Sequence, residues 1–119
     1  MEITRVADTA PGKNPHGVET KKIYDHENAL GVHILLRPGE RLRRHITPVD
    51  VMFYVLEGEG VVEIGDEKMT VGRDSAVHSP AKIVHCWYNE SDSDLSDFHF
   101  FRNVNRPFVY VGAVPTYSV

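Results

Sequence analysis

Seven of the 119 residues are histidines, and they are the side chains best placed to do chemistry. A neutral imidazole offers a lone pair to divalent iron, nickel, manganese, copper or zinc, and a carboxylate beside it offsets the ion's charge. His16 and His26 sit in polar, turn-forming stretches and read as solvated surface. His33 alternates with Val32, Ile34 and Leu36, which read as the inward set and turn it the other way. His45 and His85 fall in strand-like runs, RLRRHIT and IVHCWY. His78 precedes Ser79-Pro80, and His99 lies among Phe98, Phe100 and Phe101, where a histidine is more often a satisfied core residue than a ligand. Arg37, Arg41, Arg43 and Arg44 crowd the approach to His45. A guanidinium pairs well with a carboxylate or phosphate. Arg43 shares the alternation parity of His45 and is the one expected to reach a ligand, while the other three read as a solvated face. Cys86 lies between two inward positions, so its thiol should point into packing and away from any site. Gly58-Glu59-Gly60 precedes no helical pattern and is not a phosphate loop.

The elements that must hold these groups are short and alternating. Pro38-Gly39 ends an apolar run, and Gly58 and Gly60 close the next. Between them, 42–47 and 51–56 read as strands joined by a tight turn at Pro48. Val51, Phe53 and Val55 share one face of the second strand, and Met52, Tyr54 and Leu56 the other. Further strands are expected at 18–24, 30–37, 61–64, 68–71, 74–79, 83–88, 97–102 and 108–111. Residues 1–17, rich in proline, glycine and asparagine, read as an N-terminal arm with at most a short strand at 3–7, and 18–119 as one β-barrel domain. No window of ten or more residues carries helical periodicity. Many short strands between turn signals predict an all-β sandwich or barrel, a small jelly roll.

The segment from Gly39 to Gly58 resembles the first motif of the cupins: a glycine, then His-x-His, a glutamate and a closing glycine. Gly39, His45 and Gly58 match it, and Pro80, His85 and Asn89 match the second motif, in the right order and separation. The resemblance implies the cupin double-stranded β-helix. It also implies that His45 and His85 face one another inside the barrel. Most cupins that act on substrates hold a metal with three histidines and one glutamate, but here those two other positions are Thr47 and Val51. Two imidazoles rarely hold a metal alone, since catalytic sites usually have three protein ligands. Asp50, His78 and His99 are the candidates for a third ligand. On this register a pocket is lined by Arg43, His45, Thr47, Val51, Phe53, Val55, His85 and Trp87, mostly apolar with a few polar groups, as small-molecule sites are.

The leading expectation is therefore a cupin that binds a small molecule, an anionic one if Arg43 takes part, with no tight mononuclear metal. The alternative is a metal-dependent oxygenase, decarboxylase or isomerase using iron, nickel, manganese or zinc. Sugar epimerisation with His85 and Tyr54 ranks last, because Tyr54 has the wrong parity. The formal charge of −4 disfavours nucleic acid as a partner. No apolar run approaches the ~20 residues of a membrane helix, and the N-terminal stretch lacks a signal peptide's apolar core. One cysteine and no internal disulfide fit the cytoplasm. Open sheet edges and Leu35, Tyr54 and Leu56 on an outer face predict a homodimer with contacts from the arm.

Overall fold

Period-two burial organises the chain, as it does wherever a strand turns one face to a core and the other toward solvent. In the computed structural model, which describes residues 1–102 and the short strands Tyr110–Val111 and Val114–Pro115, the strands are β1 (Glu19–His26), β2 (Ala29–Leu36), β3 (Val51–Glu57), β4 (Glu59–Ile64), β5 (Glu67–Gly72), β6 (Ala76–Ser79), β7 (His85–Tyr88), β8 (Leu95–Arg102), β9 (Tyr110–Val111) and β10 (Val114–Pro115). Val51, Phe53 and Val55 of β3 are buried and alternate with partly exposed Met52 and Tyr54. Leu95, Asp97, His99 and Phe101 of β8 follow the same rule. There is no α-helix among the described residues.

Two antiparallel sheets form the sandwich, ordered β1-β2-β8-β3-β6 and β5-β4-β7, and β9 and β10 pair as a separate two-stranded sheet. Residues 41–45 extend the smaller sheet along β7 through bridges at Arg41–Tyr88 and His45–His85. The inner faces bury Val32, Ile34, Phe53 and Val55 of the larger sheet with Leu42, Val62 and Trp87 of the smaller. This is the expected jelly-roll sandwich.

Several elements differ from the sequence expectation, each for a local reason. Residues 42–47 are not a continuous strand. From Arg41 to His45 is four residues, while their partners Tyr88 and His85 are three apart, so one extra residue is bulged out. At that bulge the backbone N–H of Arg43 turns from β7 and donates to Nδ1 of His16 at 2.8 Å. β6 and β7 begin later than expected because the residues before them, Asp74 and Lys82, are left-handed, with φ of 62° and 67°. At the N-terminus, 3–7 is no strand, and a 3-10 turn spans Val6–Asp8. Of the strand expected at 108–111, Tyr110 and Val111 are strand and 108 and 109 lie outside the described residues.

The arm is fastened to its own barrel. Gly12 bridges Thr20, the Lys21 ammonium donates to the Val6 carbonyl at 2.9 Å, and the Asn14 amide donates to the Val18 carbonyl at 2.8 Å. Two motif residues prove to be structural. Gly58 has φ of 85°, and a Cβ there would collide with the Asp94 carbonyl oxygen, so only glycine fits between β3 and β4. Asn89, buried at the end of β7, donates to the carbonyls of Leu36 and Ser93 at 2.8 and 2.7 Å and accepts from the Ser91 hydroxyl at 2.6 Å. It thereby ties the end of β2 to the turn that follows β7.

Candidate functional site

His45 and His85 are directly opposed across the edge of the smaller sheet. Their backbones exchange hydrogen bonds of 3.1 and 2.9 Å, and their rings meet edge to face with centroids 4.5 Å apart. The two Nε2 atoms are 3.1 Å apart. The protons follow from the partners. Nδ1 of His45 is 2.7 Å from the Arg43 carbonyl, which only accepts, so His45 donates there and its Nε2 keeps a lone pair. His85 therefore donates Nε2–H to His45. Its Nδ1 in turn accepts from the Ser79 hydroxyl at 2.7 Å. The result is a chain of donors running from β6 through β7 to the 41–45 segment, with every ring nitrogen occupied.

Burial keeps both rings uncharged. Desolvation lowers the pKa of His45 to about 4, against a weaker opposing pull from the Arg43 carbonyl. It lowers that of His85 to about 2, assisted by repulsion from His45.

His16, expected on the solvated surface, is half-buried with its ring centroid 4.9 Å from that of His45. Asn14 positions it by accepting from the backbone N–H groups of His16 and Gly17 at 2.9 and 3.1 Å. Asn14 two residues ahead of His16, with Gly17 behind (φ 70°), was the available signal for an ordered turn.

The other expected site residues are distributed as follows. Phe53, Val55 and Trp87 are completely buried, and the Phe53 ring meets His85, Trp87 and His99 at 5.1, 5.5 and 4.4 Å. These side chains fill the barrel rather than line an open pocket. Thr47 and Val51 are buried too, and the Thr47 hydroxyl donates to the Val49 carbonyl at 2.9 Å. Arg43 is exposed, because the bulge hands its inward place to Leu42. Arg37, Arg41 and Arg44 form surface contacts, with Glu19 and Glu40, over the Tyr88 ring, and with Glu63.

None of the three candidate third ligands meets the pair. His99 donates Nε2–H to Asp97 at 3.0 Å within the core. His78 and Asp50 are exposed and bound to one another at 3.1 Å, and Asp50 also accepts the Ala81 N–H at 2.8 Å. Those two contacts, the Ala81 N–H first, hold the Asp50 carboxyl below its usual pKa. Cys86 is wholly buried, and burial raises its thiol pKa, which fits a packing role. Asp97 was missed by sequence reasoning. Burial raises its pKa, and among the described residues neither its Oδ1 nor Nε1 of Trp87 meets a hydrogen-bond partner of good geometry.

A cavity of about 520 Å³ opens between β5 and β6, the seam where the two sheets are not hydrogen-bonded to one another. Its apolar wall is Val62, Ile64, Met69, Val71, Val77 and Ile83. Its polar rim carries Asp66, Glu67, Lys68 and His78. Ile64 is the register partner of His85, so this wall backs onto the histidine pair.

The family model for the cupin domain matches residues 32–101. The chain belongs to the cupin family. Among solved structures, TT1209 from Thermus thermophilus is 29% identical, with a TM-score of 0.74 over 86% of this chain and 97% of that one. A predicted oxalate decarboxylase from Thermotoga maritima is 19% identical, with a TM-score of 0.76 over 85% and 98%. KdgF from Halomonas sp. is 17% identical, with a TM-score of 0.74 over 86% and 94%. No curated protein matches the chain.

In this cupin the residues fit a metal only in part. An ion ~2.1 Å from each Nε2 across their 3.1 Å separation would subtend roughly 95°, an acceptable bite. Yet His85 would first have to move its proton to Nδ1 and reverse the Ser79 bond. Beyond the two imidazoles, Thr47 is engaged with Val49 and Val51 has no donor atom. Among the described residues no group of three or more His, Cys, Asp or Glu is arranged to hold a metal. The donor set does not fit a tight mononuclear site.

Proposed function

We propose that this cupin binds a small organic molecule in the cavity between β5 and β6, and that His45 and His85 are the polar tie behind its wall. The reading rests on one contrast. The histidine pair satisfies its own hydrogen bonds and lacks further ligands, while an apolar cavity of about 520 Å³, within the usual size for small-molecule sites, stands open beside it. Ile83 and Met69 in its wall are 41% and 66% exposed, apolar surface that a ligand would cover.

A metal-dependent enzyme is the second reading, favoured by the bite of the two Nε2 atoms and by the oxalate decarboxylase description of one structural relative. Metal analysis of the purified protein separates the two. The first expects well under one equivalent of iron, nickel, manganese or zinc and no rise in melting temperature with added nickel. A stoichiometric metal that survives dialysis sinks it.

We further propose a homodimer through the outer face of the five-stranded sheet. Tyr24 and Phe100 are 48% and 36% exposed there, beside Leu35, Tyr54 and Phe98, with Leu56 at the neighbouring bulge. An apolar sheet face of this kind marks a contact surface, and twofold pairing is the commonest way to cover one. The arm lies beside β1 at the edge of this sheet, with most of its residues exposed, and adds contacts to the interface. Sedimentation at micromolar concentration should show a dimer, and Phe100→Glu should shift it toward monomer. A monomeric parent refutes the proposal. The buried single cysteine supports a reducing, cytoplasmic setting.

A further inference from the structure

At the rim of the cavity, Asp50 and His78 form a dyad of fixed polarity. The Asp50 carboxylate is anchored by the Ala81 N–H at 2.8 Å. The loop that presents this N–H is itself held, since the Lys82 N–H donates to the Thr47 carbonyl at 2.9 Å and Lys82 adopts the left-handed conformation. A residue other than glycine in that region marks a backbone the surroundings have determined. The carboxylate accepts only, so at 3.1 Å it takes the Nε2 proton of His78. A single-proton imidazole held in this way carries its lone pair on the other nitrogen, Nδ1. The charged side chains lining the cavity are two acids, Asp66 and Glu67, and one base. That base, Lys68, holds its ammonium 5.5 Å over the Tyr88 ring.

We propose that the cavity selects an apolar molecule bearing a hydrogen-bond donor, an ammonium or a hydroxyl, which it presents to Nδ1 of His78, and that it disfavours carboxylates. The inference rests on the reading of this cavity as the ligand site and goes on to name the ligand class. Asp50 acts through His78 as a positioning residue, by fixing which nitrogen carries the proton. Arg43, which would favour anions, is exposed beyond the bulge and is not among the residues lining the cavity.

Three probes of matched shape test this: 3-phenylpropylamine, 3-phenylpropanol and 3-phenylpropionate, titrated calorimetrically at pH 7.5. The amine and alcohol should bind more tightly than the carboxylate, by about five- to tenfold, as expected for one net hydrogen bond. Asp50→Asn should reverse the preference. Its side-chain oxygen can keep the Ala81 N–H, while its amide donates to Nε2 and moves the ring proton to Nδ1. A merely structural role would weaken all three probes alike. His78→Ala should abolish the preference without reversing it. Ile83→Trp, which fills the cavity, should remove all binding. If no probe binds the parent, or Ile83→Trp leaves binding intact, the cavity itself is not the ligand site and both proposals fall. If the carboxylate binds most tightly, or Asp50→Asn changes nothing, only the donor class is overturned.

Discussion

Between pH 7.5 and pH 5 the protein is expected to lose about 4 kcal/mol of stability through two side chains. His45 and His85 have folded pKa values of about 4 and about 2, against 6.5 when unfolded. At pH values below 6.5 the unfolded chain binds protons that the folded chain refuses, so acid favours unfolding. Their contribution is complete above 6.5 and is lost as the pH falls toward the folded values. Each pKa unit is worth 1.36 kcal/mol, so at pH 5 each ring costs about 2 kcal/mol. Asp97 acts with the opposite sign. Burial raises its pKa, so it is stabilising as the pH falls through its folded value, and it trims the loss at the acid end. Urea melts at the two pH values measure the difference. The double variant His45→Leu, His85→Met should show a much shallower dependence. A parent equally stable at both values would mean that the pair is charged or hydrated in the fold.

Thr47→His combined with Val51→Glu is expected to convert a barrel that holds metal weakly into one that holds it tightly. Both positions are buried, one on either side of the Pro48 turn that follows His45. Three imidazoles and a carboxylate there would supply the donors now missing. Without metal the variant should lose several kcal/mol, on the order of 3 or more, because an unpaired carboxylate replaces an apolar side chain. Nickel or cobalt at a thousandfold above its Kd should return about 4 kcal/mol by binding the folded state alone. Melting temperatures with and without metal read both effects. A parent that shifts as far as the variant would reveal a native third ligand.

The fold was legible because alternation is hard to disguise. Val51, Phe53 and Val55 on one face of β3 and the turn glycines around β4 leave few other arrangements. The facing of His45 and His85 was legible too, from motif spacing. What the residues did not disclose was the bulge between Arg41 and His45. Parity counting assumes an unbroken ladder, and one extra residue moved Leu42 inward and Arg43 out. His16 was missed for a related reason: a polar turn read as solvent-facing becomes half-buried when an asparagine folds it back onto the barrel. The third-ligand candidates failed because each found a nearer partner, His99 in Asp97 and His78 in Asp50. Asp97 and His99 are two apart on one face of β8, a spacing the chain displays, but His99 was weighed against its aromatic neighbours alone. The bond between His78 and Asp50 joins β6 to the residue before β3, and spacing along the chain carries no trace of it.

Trp87 gives the molecule an optical reporter of its own. It is the only tryptophan in the chain, fully buried, with an indole N–H that meets no acceptor among the described residues. An indole in so apolar a setting emits toward the blue, and water reaching it shifts the emission to the red. Because Trp87 packs against Phe53, which also touches His85 and His99, that shift senses the interior directly behind the histidine pair. Acid titration and urea melts can thus be followed in the unlabelled protein. A red shift that precedes the loss of β-sheet signal would show the core admitting water before the sheets part.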